Sequence, residues 1–386
     1  MINHIHPFDV PSTLGPRQYA DLFFSTIGVF PEGVPELMPT DRGAPVVKAD
    51  NGVELVNAVR QGGRIVELAE PEYHINAPLV FAPGVDLVGV NKAPVRVVAA
   101  DGFKGSEMVS ILQPGAGLEN VDLFGRYLMV NGVQLEDAGD VLIKRCRLRS
   151  FQRNCLRMIG NTNHVAVVCC EMGDTKSNHG IGMQTDVSDV LIVSSAFHHC
   201  GQDGDDDGYG LDLHGSRVWV LGCVVYENHR GVKLPDAQSV YVEGGYVDDG
   251  TSHKYPPISI WRSEGGRRPN NITIKGMALD SQAYHIGIWN SDVVRFGNVV
   301  AMRHGKALDA EGAPFQLAIK GTAIRLPPVE PPVLPPVDAG PGVGELPSTA
   351  PELDALAGEV MRRLDVNELA HLVGQKLISS LSQVFK

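Results

Sequence analysis

The sequence predicts an all-β solenoid, a coil of short parallel strands stacked turn upon turn, with a helical tail behind a proline-rich leash. Three observations carry that prediction. One short apolar pattern recurs nine times, its copies start 21 to 32 residues apart, and a second alternating segment precedes most of them. That interval is too short for a parallel unit with a crossover helix, so each copy must be one turn of a coil whose stacked turns share a core.

The recurring unit reads as strand, bend, strand. Its copies include "VDLVGV" from Val85, "VLIKRCRL" from Val141, "VAVVCCEM" from Val165, "VLIVSSAF" from Val190, "VWVLGCVV" from Val218 and "ITIKGMAL" from Ile272. In register, the sixth positions are Val90, Val121, Cys146, Cys170, Ser195, Cys223, Gly245, Met277 and Asn298, an inward stack of small or apolar residues. The six cysteines contain no CxxC pair, and Cys146, Cys170 and Cys223 are expected as core thiols rather than metal or redox groups.

The preceding segment runs "NGVQLE" from Asn131, "NCLRMI" from Asn154, "HGIGMQ" from His179, "YGLDLH" from Tyr209, "RGVKLP" from Arg230, "PPISIW" from Pro256 and "YHIGIW" from Tyr284. Its third and fifth residues are apolar and face in, so its first, fourth and sixth form columns on an exposed sheet. Those columns hold Arg157, His179, Gln184, Tyr209, Asp212, His214, Arg230, Lys233, Trp261 and Trp289. Amides and carboxylates for hydroxyls, cations for uronates and rings for pyranose faces make this strip a candidate glycan-binding surface.

Four segments follow from composition: an N-terminal extension over 1–48, the solenoid over 49–324, a proline-rich linker over 325–350 and an amphipathic helical tail over 351–386. "DNGVELVNAVRQGGRIVEL" is expected to give a short helix capping the coil, then the strand Arg64 to Leu68. The tail cannot bury its stripe alone; docking on its own solenoid, self-association or docking to a partner would cover it, with association favoured. The formal charge is −12 with scattered Lys and Arg, which argues against a nucleic-acid partner, and no stretch reaches membrane-spanning length. The first residues lack a basic region followed by an apolar run, so ordinary secretion is not expected and a virion or assembly setting is favoured.

The whole pattern, over roughly residues 50 to 320, resembles right-handed parallel β-helix proteins of the pectate-lyase type. Within it, "YGLDLH" resembles the "YGFDPH" motif of mannuronan C-5-epimerases, with Tyr209, Asp212 and His214 matching and Leu211 and Leu213 replacing Phe and Pro. The resemblance implies an epimerase or lyase on an acidic polysaccharide. His214 and Tyr209 would be the acid/base pair and Asp212 would orient a partner, while Arg230, Lys233 or Arg157 would neutralise the uronate. It also implies a further acidic residue on the following turn, where this chain reads "NHRG" from Asn228. A non-catalytic glycan binder of a tail spike is the alternative.

"DGDDDG", Asp203 to Gly208, has the spacing that opens a calcium loop through Asp203, Asp205 and Asp207, but its twelfth position is His214 rather than a glutamate. Bound Ca2+ and a solvated turn both remain open.

Overall fold

The short apolar strands pair in parallel with the turns before and after them, and three ladders of such strands run the length of the domain. The computed structural model describes residues 44–203, 207–252, 255–282, 284–297, 299–303, 306–307 and 317–320. The expected proline-rich linker and helical tail lie outside these residues, as does nearly all of the N-terminal extension.

Each strand–bend–strand unit supplies one strand to each of two ladders. Val141, Val165, Val190 and Val218 pair in succession along the first, and Leu148 with Met172 along the second. The bend between them is a left-handed corner, with φ of 57° at Asn120, 53° at Arg145, 53° at Cys169 and 47° at Ser194. Such a φ is costly for a residue with a Cβ. It is retained because each corner N–H donates to the next turn: Arg145 to the Val168 carbonyl at 2.9 Å and Cys169 to that of Val193 at 3.0 Å. In later turns the corner residue is glycine, at Gly222, Gly244 and Gly276. A Cβ on Gly245, where φ is 98°, would stand 2.0 Å from the Cys223 carbonyl oxygen.

The inward stack holds for Val121, Cys146, Cys170, Ser195, Cys223 and Met277, none more than 2% exposed. All six cysteines are buried thiols outside any disulfide. Val90 departs from it, at 49% exposure: Asn91 to Pro94 are inserted before the next strand, and Val95 takes the inward place opposite Val121.

Among the described residues the third ladder has ten strands, in the register expected from sequence: Asn131 with Asn154, Gly182 with Asp212, Asp212 with Lys233, and Trp261 with Trp289. It begins two strands earlier than expected, at Leu79–Phe81 and Glu107–Ile111. Its inward residues, such as Leu156, Met158, Leu211, Leu213 and Leu234, join one continuous core, each such aliphatic side chain contributing about 1.5–3 kcal/mol on burial.

At the N-terminal end the helix Gly52–Ala58 lies beside the strand Val46–Ala49, which pairs with Arg64–Leu68 and was not foreseen. Asn51 caps it, its Oδ1 accepting from the Val53 and Glu54 N–H groups, and Leu55 and Val59 enter the core. Among the described residues no helix is long and apolar enough to cross a membrane.

Candidate functional site

Stacking in the third ladder brings together side chains that are far apart in sequence. One outward column runs Gln134, Arg157, Gly182, Asp212, Lys233, Ser259. Tyr209 sits opposite Arg230 in a neighbouring column, and Pro235 opposite Trp261 in the third.

Asp212 is the hub. Its Oδ2 lies 3.2 Å from His179 Nε2 and 3.6 Å from Lys233 Nζ, and its Oδ1 lies 3.2 Å from His214 Nε2. His179 Nδ1 accepts the Tyr209 backbone N–H at 3.3 Å, which leaves the ring proton on Nε2 to meet Asp212. Burial alone would push the Asp212 carboxyl up; His179, His214 and Lys233 together outweigh it and hold the group well below the usual carboxylate range. Asp212 is therefore a fixed anion that orients two imidazoles.

The sheet face here is not open, contrary to expectation. Tyr209, His179, Arg230 and Asp212 are 1%, 4%, 5% and 7% exposed. The next turn closes over them: Arg230 Nη1 donates to Tyr209 Oη at 2.6 Å, and its guanidinium lies 3.5 Å from the centre of the Tyr255 ring. Burial pushes the Tyr209 hydroxyl up to about 12 in spite of that hydrogen bond. Tyr209 and Arg230, expected on an open face, are thus buried and packed against each other and against Tyr255.

The open part lies on the other side of Asp212. A cleft of about 400 Å³ is lined by Asn154, Arg157, Asn178, His179, Gly182, Met183, Gln184, Thr185, Asp212 and His214. Gly182 makes room for it between Arg157 and Asp212 in the column; a Cβ there would approach Asn154 Oδ1 to 2.9 Å. His214, with its side chain 24% exposed, is the more accessible of the two histidines.

The remaining expected residues are distributed around this cleft. Lys233 bridges to Asp207 at 3.2 Å and stands 5.2 Å from the Trp261 ring, which meets Trp289 edge to face at 6.3 Å. Trp261 and Trp289 thus adjoin the Lys233 side, outside the cleft lining. Asp203 is exposed in the turn, and Asp205 falls outside the described residues.

Sequence reasoning missed Asp236. It follows the Arg230–Pro235 strand at φ 57°, is 2% exposed and places Oδ2 3.7 Å from His214 Nδ1. It stands in "LPDA", one turn after His214. Tyr255 and Asn178 were also missed; both stand in turns, where strand alternation gives no cue.

A second acidic cluster is built differently. Asp248 accepts the Glu227 and Gly250 N–H groups, Asp249 accepts from Ser281 Oγ at 3.2 Å, and Asp280 accepts from Tyr246 Oη at 3.2 Å. Burial, with Asp249 and Asp280 adding to it, pushes the Asp248 carboxyl up to about 6.

The family model described as a right handed beta helix region matches residues 131–299, and the fold is a right-handed parallel β-helix. No curated protein sequence matches the chain. Among solved structures, the full-length tailspike protein 2 of an Escherichia coli O157:H7 bacteriophage is similar at a TM-score of 0.58 and 12% identity, over 73% of this chain and 42% of that one. The enzymatically active domain of bacteriophage CBA120 tailspike protein 2 gives 0.54 and 13%, over 71% and 44%. An Azotobacter vinelandii mannuronan C-5 epimerase A-module is matched at 0.42 and 14%, over 72% and 95%. The chain spans less than half the length of the two tailspike chains, and at these identities the likeness is one of fold.

Proposed function

We propose that this β-helix acts on an acidic polysaccharide, that its cleft receives a uronate residue, and that His214 moves the proton at C-5. One observation carries the reading. Among the described residues that line the cleft, Asp212 is the sole carboxylate, and it stands among two histidines with Arg157 facing it across Gly182. Glycoside hydrolysis by paired carboxylates needs a second carboxyl about 5–9.5 Å away across the scissile bond. Proton abstraction beside a uronate carboxyl needs instead a base and a cation that tolerates the developing enolate.

The roles follow from the contacts. Arg157 pairs with the uronate carboxylate. Asp212 and Asp236 flank His214 at Nε2 and Nδ1, 3.2 and 3.7 Å away, and position the imidazole that takes the C-5 proton. Loss of that proton with departure of the C-4 oxygen forms the C4=C5 double bond, and His214 returns the proton to the departing oxygen. Epimerisation would require a second donor on the opposite ring face, and the residue expected in that role, Tyr209, is buried. That burial favours the lyase outcome over epimerisation.

Glycan capture without turnover is the second reading, favoured by the Trp261 and Trp289 rings beside Lys233. The fold shared with phage tailspikes supports a virion-associated setting, with the C-terminal tail as the segment that assembles. Ca2+ at Asp203, Asp205 and Asp207 belongs to the same proposal.

Alginate, pectate and bacterial capsule preparations, with and without EDTA, provide the test, read by absorbance of unsaturated uronates and by proton NMR of the anomeric region. His214→Ala and Arg157→Ala are expected to lower turnover by about 10²–10⁴-fold. No change in any polymer, with His214→Ala binding glycan as well as the native chain, would leave capture as the function.

A further inference from the structure

We infer a first-row transition-metal site formed by Asp174, His198 and His199, where three successive turns leave the second ladder. Gly173, His198 and Tyr226 are in register, and Asp174, His199 and Glu227 follow them at left-handed corners, with φ of 55°, 52° and 52°. In a continuous strand His198 and His199 would point to opposite faces. The corner turns both to one side, and their Nδ1 atoms lie 2.8 Å apart.

The far side of each ring is already committed. His198 Nε2 lies 3.3 Å from Glu171 Oε1, and the other oxygen of Glu171 is held by Arg147 Nε at 3.0 Å. His199 Nε2 lies 3.1 Å from Glu227 Oε2. Carboxylates on both Nε2 atoms draw the ring protons there, which turns two Nδ1 lone pairs toward one another. A proton on one Nδ1 would bridge the pair, whereas a cation in front of them would also engage the Asp174 carboxylate. Asp174 supplies a carboxylate oxygen, and its ligand atom and the two histidine ligand atoms all lie within 4.8 Å of one another.

Two imidazoles and one carboxylate, each imidazole backed by an outer carboxylate, form a donor set for Zn2+, Co2+, Ni2+ or Cu2+ rather than for the all-oxygen coordination of Ca2+. The site lies in the turns that lead into His179 and Tyr209, so a bound ion would tie together the segments that deliver the cleft strands.

Titrating the full chain with Co2+ and separately with Zn2+, by visible absorption and calorimetry, tests the site. One equivalent is expected, with ligand-field bands from Co2+, and binding should vanish in His199→Ala and in the milder Asp174→Asn. Glu227→Gln should weaken it by about 10–100-fold. His214→Ala, which removes a histidine of the cleft, should leave it unchanged, and circular dichroism reports whether each variant is folded. Absence of saturable binding, or a stoichiometry unaltered in folded Asp174→Asn, would overturn the site; a single proton shared between the two Nδ1 atoms, seen by nitrogen NMR, would do the same.

Discussion

Two buried acidic clusters of this β-helix meet opposite fates. Asp212 and Asp248 are both desolvated, but Asp212 faces His179, His214 and Lys233, while Asp248 faces Asp249 and Asp280. The first is held ionised and the second retains its proton to about pH 6. Burial penalises the charge in each case, and the identity of the neighbours on adjoining turns decides the outcome. A stacked fold makes those neighbours a matter of register: one residue per turn, every turn.

The largest expected effect comes from stripping the hub. His179→Leu leaves Asp212 with one fewer partner and takes one of two acceptors from the Tyr209 N–H, and should cost about 3–5 kcal/mol in urea unfolding. In the Asp212→Asn background the same substitution should cost distinctly less, because the carboxylate that needed the imidazole is gone. Equal costs in both backgrounds would place the effect in packing alone.

A smaller and opposite effect is expected at Asp248. Its folded pKa of about 6 exceeds the ordinary 3.8, so the folded state binds the extra proton between those values and its stability declines as pH rises through them. Asp248→Asn should therefore stabilise by about 1–3 kcal/mol above pH 6, and this gain should disappear near pH 4. Asp212 has the reverse dependence: its contribution is present above the unfolded carboxylate range and is lost as pH falls below it. Unfolding followed from pH 3 to pH 8 in both variants separates the two slopes. The smallest change is Tyr246→Phe, which removes a hydrogen bond to Asp280 and should destabilise by about 1 kcal/mol.

The coil and its register were legible because inward positions repeat turn after turn, and "YGLDLH" fell into place by alternation alone. The corners were less so. Arg145, Cys169 and Ser194 carry positive φ without being glycine, because hydrogen bonds between turns, which no single segment reveals, hold them there. The same limit hid Asp236, whose approach to His214 depends on a left-handed turn after Pro235. Burial of Tyr209 was likewise invisible, since Arg230 closes over it from the next turn together with Tyr255. The adjacent histidines in "FHHC" were readable, but Glu171, Asp174 and Glu227 meet them only after three turns have stacked.

The parallel ladders also have a mechanical consequence. Hydrogen bonds between turns point along the axis of the coil, so tension along that axis opens one interface at a time, as a zipper does. A load applied across the axis, as by a long polymer gripped in the cleft of the third ladder, shears many of those bonds at once. The face that carries the cleft is therefore oriented to bear a sideways pull that the ends of the same coil would resist poorly.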